Sequence, residues 1–580
     1  MASRSTPSKS VSFAVVGTGG AGAMTSGAML IEAAGKAGWY GLLTRSVGPQ
    51  IRGGEAAALV RLSASHAACM VKEFDILVAI DWKNADRFIG AMPVAPGGLV
   101  ICDPAAGAPP RAVTEADCTI IECPIGELAR SVPGGRENMI AAGLVAGLIN
   151  MPPDALRTVI SDKLQSKGDK AIEASLACVE IGMRTANGMD MSYALAPAEK
   201  GTKDRWLITG NEAVGLGALR GGVRFAAAYP ITPATEVLEY LAPSLASIGG
   251  ALVQAEDELA SINMIIGASF GGRPSITATS GPGLSLMMES LGLAAAAEVP
   301  LVVVDVMRVG PSTGIATKSE QSDLNIAVYG GHGDANNVVV APLSVADCLF
   351  TGQWAVHIAE TLQTPVLVLS DQSIGQARVL IDRPADVTFM TRRKPFVESE
   401  DAYQRYAITA DGVSPMSIPG QTGGQYTADG LTHTERGSPS SSRVDQKVHM
   451  DKRHDKIAQF DYGNHWGVSE GDSNNDTVIL TWGSLTGAAR EAMHMLKEKG
   501  VPARLVSLRQ IAPFPEKPLK NALAGAKRVL FVEQSHSGQF RRHVRSHIDL
   551  PYDVRNLNRE GPHVIGPDEI AAEIEEWANQ

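Results

Sequence analysis

The stretch TATSGPGLSLMMESLGLAAAAEVPLVVVDVMR, residues 277–308, decides the fold class. It leaves the end of a strand, turns through Ser280-Gly281-Pro282-Gly283, continues as an almost wholly apolar helical run and re-enters a strand at 299–307. Strand, glycine turn, helix and strand make one crossover of a parallel sheet. The second strand, PLVVVDV, reads as apolar along its length, as a strand covered on both faces should be. Two readings of the turn stand. Either a cofactor ring or partner backbone presses on Ser280 and Gly281, or the crossover is unusually tight and only glycine fits.

The same rhythm extends in both directions. Strand candidates at 250–254, 275–279, 337–341 and 364–369, with helical stretches at 258–268 and 284–297, give a parallel α/β domain over 204–393. Ahead of it, an apolar strand, a glycine turn and a helix open an α/β domain over 1–190, with further strands at 76–80, 98–102 and 119–123. Loss of periodicity in ALAPAEKGTKDRW marks a linker at 191–203. Residues 394–470, rich in Gly, Ser, Thr and Pro, read as either a disordered linker or an irregular arm laid over another surface, the dispersed Tyr, His and Arg favouring the arm. TVILTWGSLTGAAREAMHMLKEKG then opens a C-terminal α/β domain over 471–580. Several domains are required in any case, because 580 residues exceed the roughly 250–300 at which one core stops growing.

The net charge of −11 is spread without long runs, and no basic segment is interleaved with aromatics, which excludes a nucleic-acid surface. No window reaches the about 18 consecutive apolar residues of a membrane span. The six cysteines include no CxxC pair and sit mostly in apolar surroundings. They suit a reducing, cytoplasmic compartment and do not suit an iron-sulfur cluster in this chain.

Gly17, Gly19 and Gly22 spell GxGxxG between a strand and a helix, but the acid that would hold a ribose is missing from GWYGLLTRSVGPQIRGGE. A close-packed βα turn is the better reading. Arg52, between a Gly-Pro turn and Gly53-Gly54, is a candidate carboxylate ligand, weighed against a surface arginine closing a turn. GDANN (333–337) and GDSNN (471–475) place their polar groups side by side, so they read as turns and not as a magnesium site. Glu258 opens a helix and shares a face with Ile262 and Ile265, so it can point inward and share a proton with a ring nitrogen. The competing reading is an acid placed for the helix dipole. In AAAYPITPATEVLEYLA (226–242), Thr232 before Pro233 is expected to cap a helix.

AYPITPATE, AEDELASINMIIGASFGGR, TSGPGLSLMMESLGLA and MRVGPSTGIATKSEQSDL, with GPQIRGGEA upstream and FVEQSHSGQF near the end, carry a resemblance. The chain resembles the alpha subunits of 2-oxoacid:ferredoxin oxidoreductases with a gamma domain fused ahead of them, and within these the 2-oxoglutarate type. The resemblance implies half of a thiamine diphosphate site. This chain would supply the pyrimidine side, and a beta subunit would carry the diphosphate tail, Mg²⁺ and a 4Fe-4S cluster. The coupled reaction would use coenzyme A and ferredoxin, in a dimer of alpha-beta units.

By the same resemblance Glu258 would share a proton with the aminopyrimidine, and Thr232 and Arg308 would face the oxo acid's C1 carboxylate and oxo group. Tyr229, Pro230, Ser280 and Gly281 would line the cofactor. Arg52 and Lys318 are candidates for the remote carboxylate of 2-oxoglutarate. Met416 stands where the resemblance leads one to expect arginine. Pyruvate or a branched oxo acid is the alternative substrate, and a non-catalytic scaffold or nucleotide-binding regulator the alternative of another class.

Overall fold

The computed structural model describes residues 7–47, 56–83, 85, 89–198, 205–387, 389, 393–398, 402–550 and 553–580. The chain divides into two compact units, one of residues 1–208 with 377–385 and one of residues 209–376 with 386–580.

The first unit is built on strands β1 (Ser10–Gly17), β2 (Tyr40–Val47), β3 (Ala56–Ser63), β4 (Phe74–Ala79), β5 (Val94–Cys102), β6 (Cys118–Glu122) and β7 (Arg205–Thr209). β1, β4, β5 and β6 run parallel, and β3 and β2 continue the sheet antiparallel beyond β1. The glycine turn after β1 leads into α1 (Ala23–Lys36). The carboxylate of Asp81 accepts both the Thr18 N–H and the Thr18 hydroxyl, each at 3.0 Å, so the turn is satisfied from within the chain. The loop carrying Arg52 lies outside the described residues.

In the second unit β8 (Phe225–Ala228), β9 (Ala251–Gln254), β10 (Ser275–Thr279), β11 (Leu301–Met307), β12 (Val338–Val340) and β13 (Pro365–Asp371) form a parallel sheet. Strand β14 (Arg378–Asp382) pairs antiparallel with β2 in the first unit's own sheet, as its edge partner. A smaller sheet holds β15 (Gly467–Glu470), β16 (Thr477–Trp482), β17 (Arg504–Leu508), β19 (Arg528–Glu533) and β20 (Asp553–Asn558), while β18 (Gln510–Ala512) joins β12. Buried strands are needed because helices cover both faces. On one side are α2 (Gly210–Gly221) and α3 (Val345–Leu362), which pack on each other. On the other are α4 (Glu258–Phe270) and α5 (Gly281–Ala296), whose Ile262, Ile265, Leu284, Met287 and Leu291 meet Leu301 and Val303 of β11.

The 394–470 stretch carries α6 (Arg443–Ala458) and a buried ionic network. Glu298, fully buried, receives Lys452 and Lys456 at 2.8 Å each, and Arg393 forks onto Glu360 at 2.7 and 2.8 Å. The two lysines and Arg405 hold the Glu298 carboxyl far below the ordinary range despite its burial. Among the described residues no helix is long and apolar enough to cross a membrane.

Candidate active site

The strand order β12-β13-β11-β10-β8-β9 reverses direction between β8 and β10, because the chain steps from β8 outward to β9 and then returns to the other side of β8. Ligands of open parallel sheets bind outside the carboxyl ends of the strands at such a switch point. Tyr229 to Thr232 follow β8, Ser280 and Gly281 follow β10, and Arg308 follows β11. Glu258 opens α4 after β9.

At α4, Asp257 performs the capping, accepting the Ala260 N–H at 2.6 Å. Glu258 is thereby relieved of that task. It is only 7% exposed, and among the described residues its carboxylate has no hydrogen-bond partner. Its side chain lies against Gly283, where an added Cβ would stand 2.6 Å from Glu258 Cγ and 2.1 Å from Thr279 Oγ1. The glycine at 283 therefore makes room for the acid. Ser280 precedes α5 with its hydroxyl buried and without a partner. A Cβ at Gly281 would meet the Asp323 carboxylate at 2.7 and 2.8 Å.

Thr232 departs from expectation. The helix after it spans Thr235–Ser247 and is preceded by Ala234, without a side-chain cap. The Ile231 carbonyl accepts the N–H groups of Ala234 and Thr235, which forms a turn ahead of the helix and leaves the Thr232 carbonyl for Arg308 Nη1 at 2.5 Å. Arg308 is 7% exposed and its Nε has no acceptor. Burial draws its pKa below the ordinary guanidinium value, against the opposing pull of Asp323 and Asp305. Tyr229 is 40% exposed and Pro230 half-buried.

Lys318 lies on the loop after β11, where burial lowers its pKa, and no carboxylate pairs with it among the described residues. That loop is clamped from the C-terminal sheet. Gln321 donates its N–H to the Gln534 carbonyl at 2.7 Å and its side-chain amide to the Trp482 carbonyl at 3.0 Å. Glu320 accepts from Gly310 N–H at 3.0 Å and Gly561 N–H at 3.2 Å. Met416 is a core residue, packed with Ala297 and Val299 and touching the Arg393 guanidinium at 3.6 Å. The sequence reading missed Asp305, Asp323 and Thr279. The one available signal was a lone acid in an apolar strand.

A family model described as "Pyruvate flavodoxin/ferredoxin oxidoreductase, thiamine diP-bdg" matches residues 216–453, one described as "Pyruvate ferredoxin/flavodoxin oxidoreductase" matches 12–185, and "Pyruvate:ferredoxin oxidoreductase core domain II" matches 475–570. The 2-oxoglutarate synthase subunit KorA of Methanothermobacter marburgensis is 35% identical over 64% of this chain and 98% of its own length. The chain belongs to the 2-oxoacid:ferredoxin oxidoreductase family. Another member, subunit alpha of 2-oxoacid:ferredoxin oxidoreductase 2 from Aeropyrum pernix, is 29% identical over 94% of both chains. Among solved structures, the 2-oxoglutarate:ferredoxin oxidoreductase of Magnetococcus marinus, with 2-oxoglutarate, coenzyme A and succinyl-CoA bound, superposes with a TM-score of 0.91 at 34% identity. That match covers 98% of this chain and 99% of the other, so the family architecture extends over both units.

Proposed function

We propose that this chain is the alpha half, with the gamma domain fused, of a thiamine diphosphate-dependent 2-oxoglutarate:ferredoxin oxidoreductase. The complex converts 2-oxoglutarate and coenzyme A to succinyl-CoA and CO₂ while reducing ferredoxin, or runs in reverse. The observation that carries this reading is the placing, on the loops and helix starts around one switch point, of Glu258, 7% exposed and pressed against Gly283, and of a buried guanidinium, Arg308, whose Nε has no acceptor. Likeness over the whole chain to the Magnetococcus marinus enzyme supports 2-oxoglutarate over pyruvate or a branched oxo acid.

The residues present fit the pyrimidine end of the cofactor: a largely buried carboxyl at Glu258 and an orphaned buried hydroxyl at Ser280. When bound, thiamine diphosphate supplies the carbon that adds to the 2-oxo group and the sink for the electrons released with CO₂. Glu258 holds a proton against the ring nitrogen, an acid–base role of the kind worth about 10² to 10⁴ in rate. Tyr229 and Pro230 form the wall beside it, and Gly281 brings the α5 backbone close. Arg308 takes the C1 carboxylate by charge-assisted hydrogen bonds, with the Thr232 hydroxyl beside it. Lys318 is the cation for the remote carboxylate, and an unpaired ammonium held in partial burial suits that use.

The diphosphate tail, Mg²⁺ and a 4Fe-4S cluster belong in this reading to a beta subunit, in a dimer of alpha-beta units. Exposed apolar residues on the elements that carry the site, Tyr229 at 40%, Leu259 at 47% and Leu286 at 49%, support a partner covering them. Six cysteines with no CxxC pair among them suit a cytoplasmic location in this reading. The test is to reconstitute the chain with its beta subunit and follow viologen reduction with 2-oxoglutarate, pyruvate and 2-oxoisovalerate. Reduction should be fastest with 2-oxoglutarate and be lost in Glu258→Gln. No reduction with any oxo acid rejects the reading, and full activity in Glu258→Gln rejects the role of that residue.

A further inference from the structure

The C-terminal sheet has a switch point of its own. In the order β15-β17-β16-β19-β20 the chain passes from β16 to β17 on one side and returns to β19 on the other, and β16, β17, β19 and β20 run parallel. The crevice of such a sheet lies outside the carboxyl ends of β16 and β19. Here it is filled by Gln321, 1% exposed, which comes from the loop after β11. Its side-chain amide donates to the carbonyl of Trp482, the last residue of β16, at 3.0 Å, and its amide oxygen accepts the N–H of Gln534, just past β19, at 2.9 Å. The Gln321 N–H completes the bridge by donating to the Gln534 carbonyl at 2.7 Å. Gly483 leaves room for it, since a Cβ there would stand 2.7 Å from Gln321 Nε2.

Further attachments flank this one. Glu320 ties Gly310 to Gly561, and Gly561 lies on the loop after β20. A Cβ at Gly561 would stand 2.3 Å from Val309 Cγ2 and 2.7 Å from the Ser319 carbonyl oxygen, so the two loops are in direct contact. Gln534, 2% exposed, secures the loop after β20 by donating Nε2 to the carbonyls of Glu560 and His563, each at 3.0 Å, and accepting the Ile565 N–H at 3.1 Å. Gln539, at the start of the helix Gln539–His547, donates to the Ser322 carbonyl at 2.8 Å and accepts the Asn325 N–H at 2.9 Å. Within the held loop, the Lys318 backbone folds back beside Arg308: the Val309 N–H donates to the Lys318 carbonyl at 3.0 Å, and the Lys318 N–H to the Ile315 carbonyl at 3.0 Å.

We propose that the C-terminal sheet, through the carboxyl ends of its parallel strands, is the seat of the 309–323 loop, and that Glu320, Gln321 and Gln539 are positioning residues that set the preference for a dicarboxylic oxo acid by fixing where Lys318 stands. A lysine ammonium is a point charge on a flexible stem, so its value against a carboxylate depends on where its backbone is held. Seating the loop before substrate arrives removes the cost of ordering it from the binding step. An oxo acid with no second carboxylate makes no use of Lys318 and gains nothing from that seating. This role deepens the proposed function and rests on Lys318 taking the remote carboxylate.

The test uses the complex with its beta subunit and compares 2-oxoglutarate with 2-oxopentanoate, which carries a methyl group in place of the remote carboxylate. Lys318→Met sets the full size of the preference. Gln321→Leu should lower kcat/KM for 2-oxoglutarate about ten-fold more than for 2-oxopentanoate, the worth of one hydrogen bond to a charged group. Gln539→Ala, at a half-buried position whose loss the fold tolerates, should do so by about three-fold, and Gln539→Glu, which keeps the acceptor for Asn325, should recover part of that. Hydrogen exchange of the same complexes should quicken at 309–323 in Gln539→Ala while the strands of the C-terminal sheet keep their protection. Equal falls for both oxo acids in Gln321→Leu and Gln539→Ala, with Lys318→Met lowering 2-oxoglutarate alone, overturn the proposal and leave the role of Lys318 standing. Equal falls in Lys318→Met remove that role and the proposal with it, and unchanged exchange at 309–323 overturns the seating. Complexes that turn over no oxo acid yet exchange faster at 309–323 in Gln539→Ala would remove the enzyme reading and keep the sheet as the seat of the loop.

Discussion

Replacing Gly283 by alanine should slow the enzyme without unfolding it. The new methyl would stand 2.1 Å from Thr279 Oγ1, 2.6 Å from Glu258 Cγ and 2.7 Å from Glu258 Oε1, where about 3.5 Å is the usual optimum. Thr279 ends a buried strand and its branched side chain is stiff, so the α5 start must give way from it, and the longer Glu258 is displaced as well, by about 1 Å. A displacement of that size in a proton-holding group costs about 10² in rate, or about 2.7 kcal/mol of transition-state stabilisation. Crowding of this kind destabilises by about 1–3 kcal/mol, offset by about 1 kcal/mol gained when a helical glycine becomes alanine. The remainder is small against the about 5–15 kcal/mol that holds a domain folded. The assay is oxo-acid-dependent viologen reduction by the reconstituted complex, with a thermal melt of each variant alongside. Gly292→Ala on the same helix is the control, since its methyl would meet only His332, at 3.4 Å. A Gly283→Ala enzyme within about three-fold of wild type at an unchanged melting midpoint would refute the placing of Glu258 beneath that glycine.

Glu298→Gln should destabilise the second unit by about 3–5 kcal/mol, because it leaves Lys452 and Lys456 buried around a neutral amide. Urea unfolding measures this, and part of the loss should return above about pH 8, where burial already brings Lys456 to neutrality. Met416→Arg, the residue the family resemblance leads one to expect, should destabilise by a similar amount, since it buries a second guanidinium against Arg393. Acid should weaken the same region. His449, buried and held down to about 4, stays neutral when folded, so stability present above 6.5 is lost as pH falls toward 4. Near-UV circular dichroism against pH should show that loss, with a shallower slope in His449→Phe.

The parallel strands β11 and β13 were legible because burial on both faces writes itself as nearly continuous apolar runs. The antiparallel pairings were not. Strand β14 pairs with β2, and β12 with β18, across spans of chain in which nothing local names the partner. Turn chemistry misled in a specific way at YPITP. A threonine before proline has the composition of a helix cap, yet Ile231 supplies the carbonyl that closes the turn, so the helix starts three residues later. The arm at 394–470 shows the reverse case. Its polar composition suggested little order, but Lys452 and Lys456 are buried, because each finds Glu298 across a distance in sequence that no periodicity reports.

Within the site, Glu258 could be singled out because its helix declares a face through Ile262 and Ile265. Asp305 could not be assigned a role by the same logic. A lone acid in an apolar strand says only that burial must be compensated, and the compensating group is chosen by the fold. Strand pairing places Asp305 beside Thr279, on the face that α4 and α5 cover, and the loop after β11, clamped through Gln321 and Gln534, carries Asp323 against the α5 start at Gly281. That loop begins at Arg308, so a change in the distant clamp should reach the guanidinium. Gln321→Leu, which removes the amide contacts to Trp482 and Gln534 while leaving both carboxyls intact, is expected to raise KM for the oxo acid more than it lowers kcat. An equal fall in both would mean that the loop serves the chemistry itself and not the placing of the guanidinium.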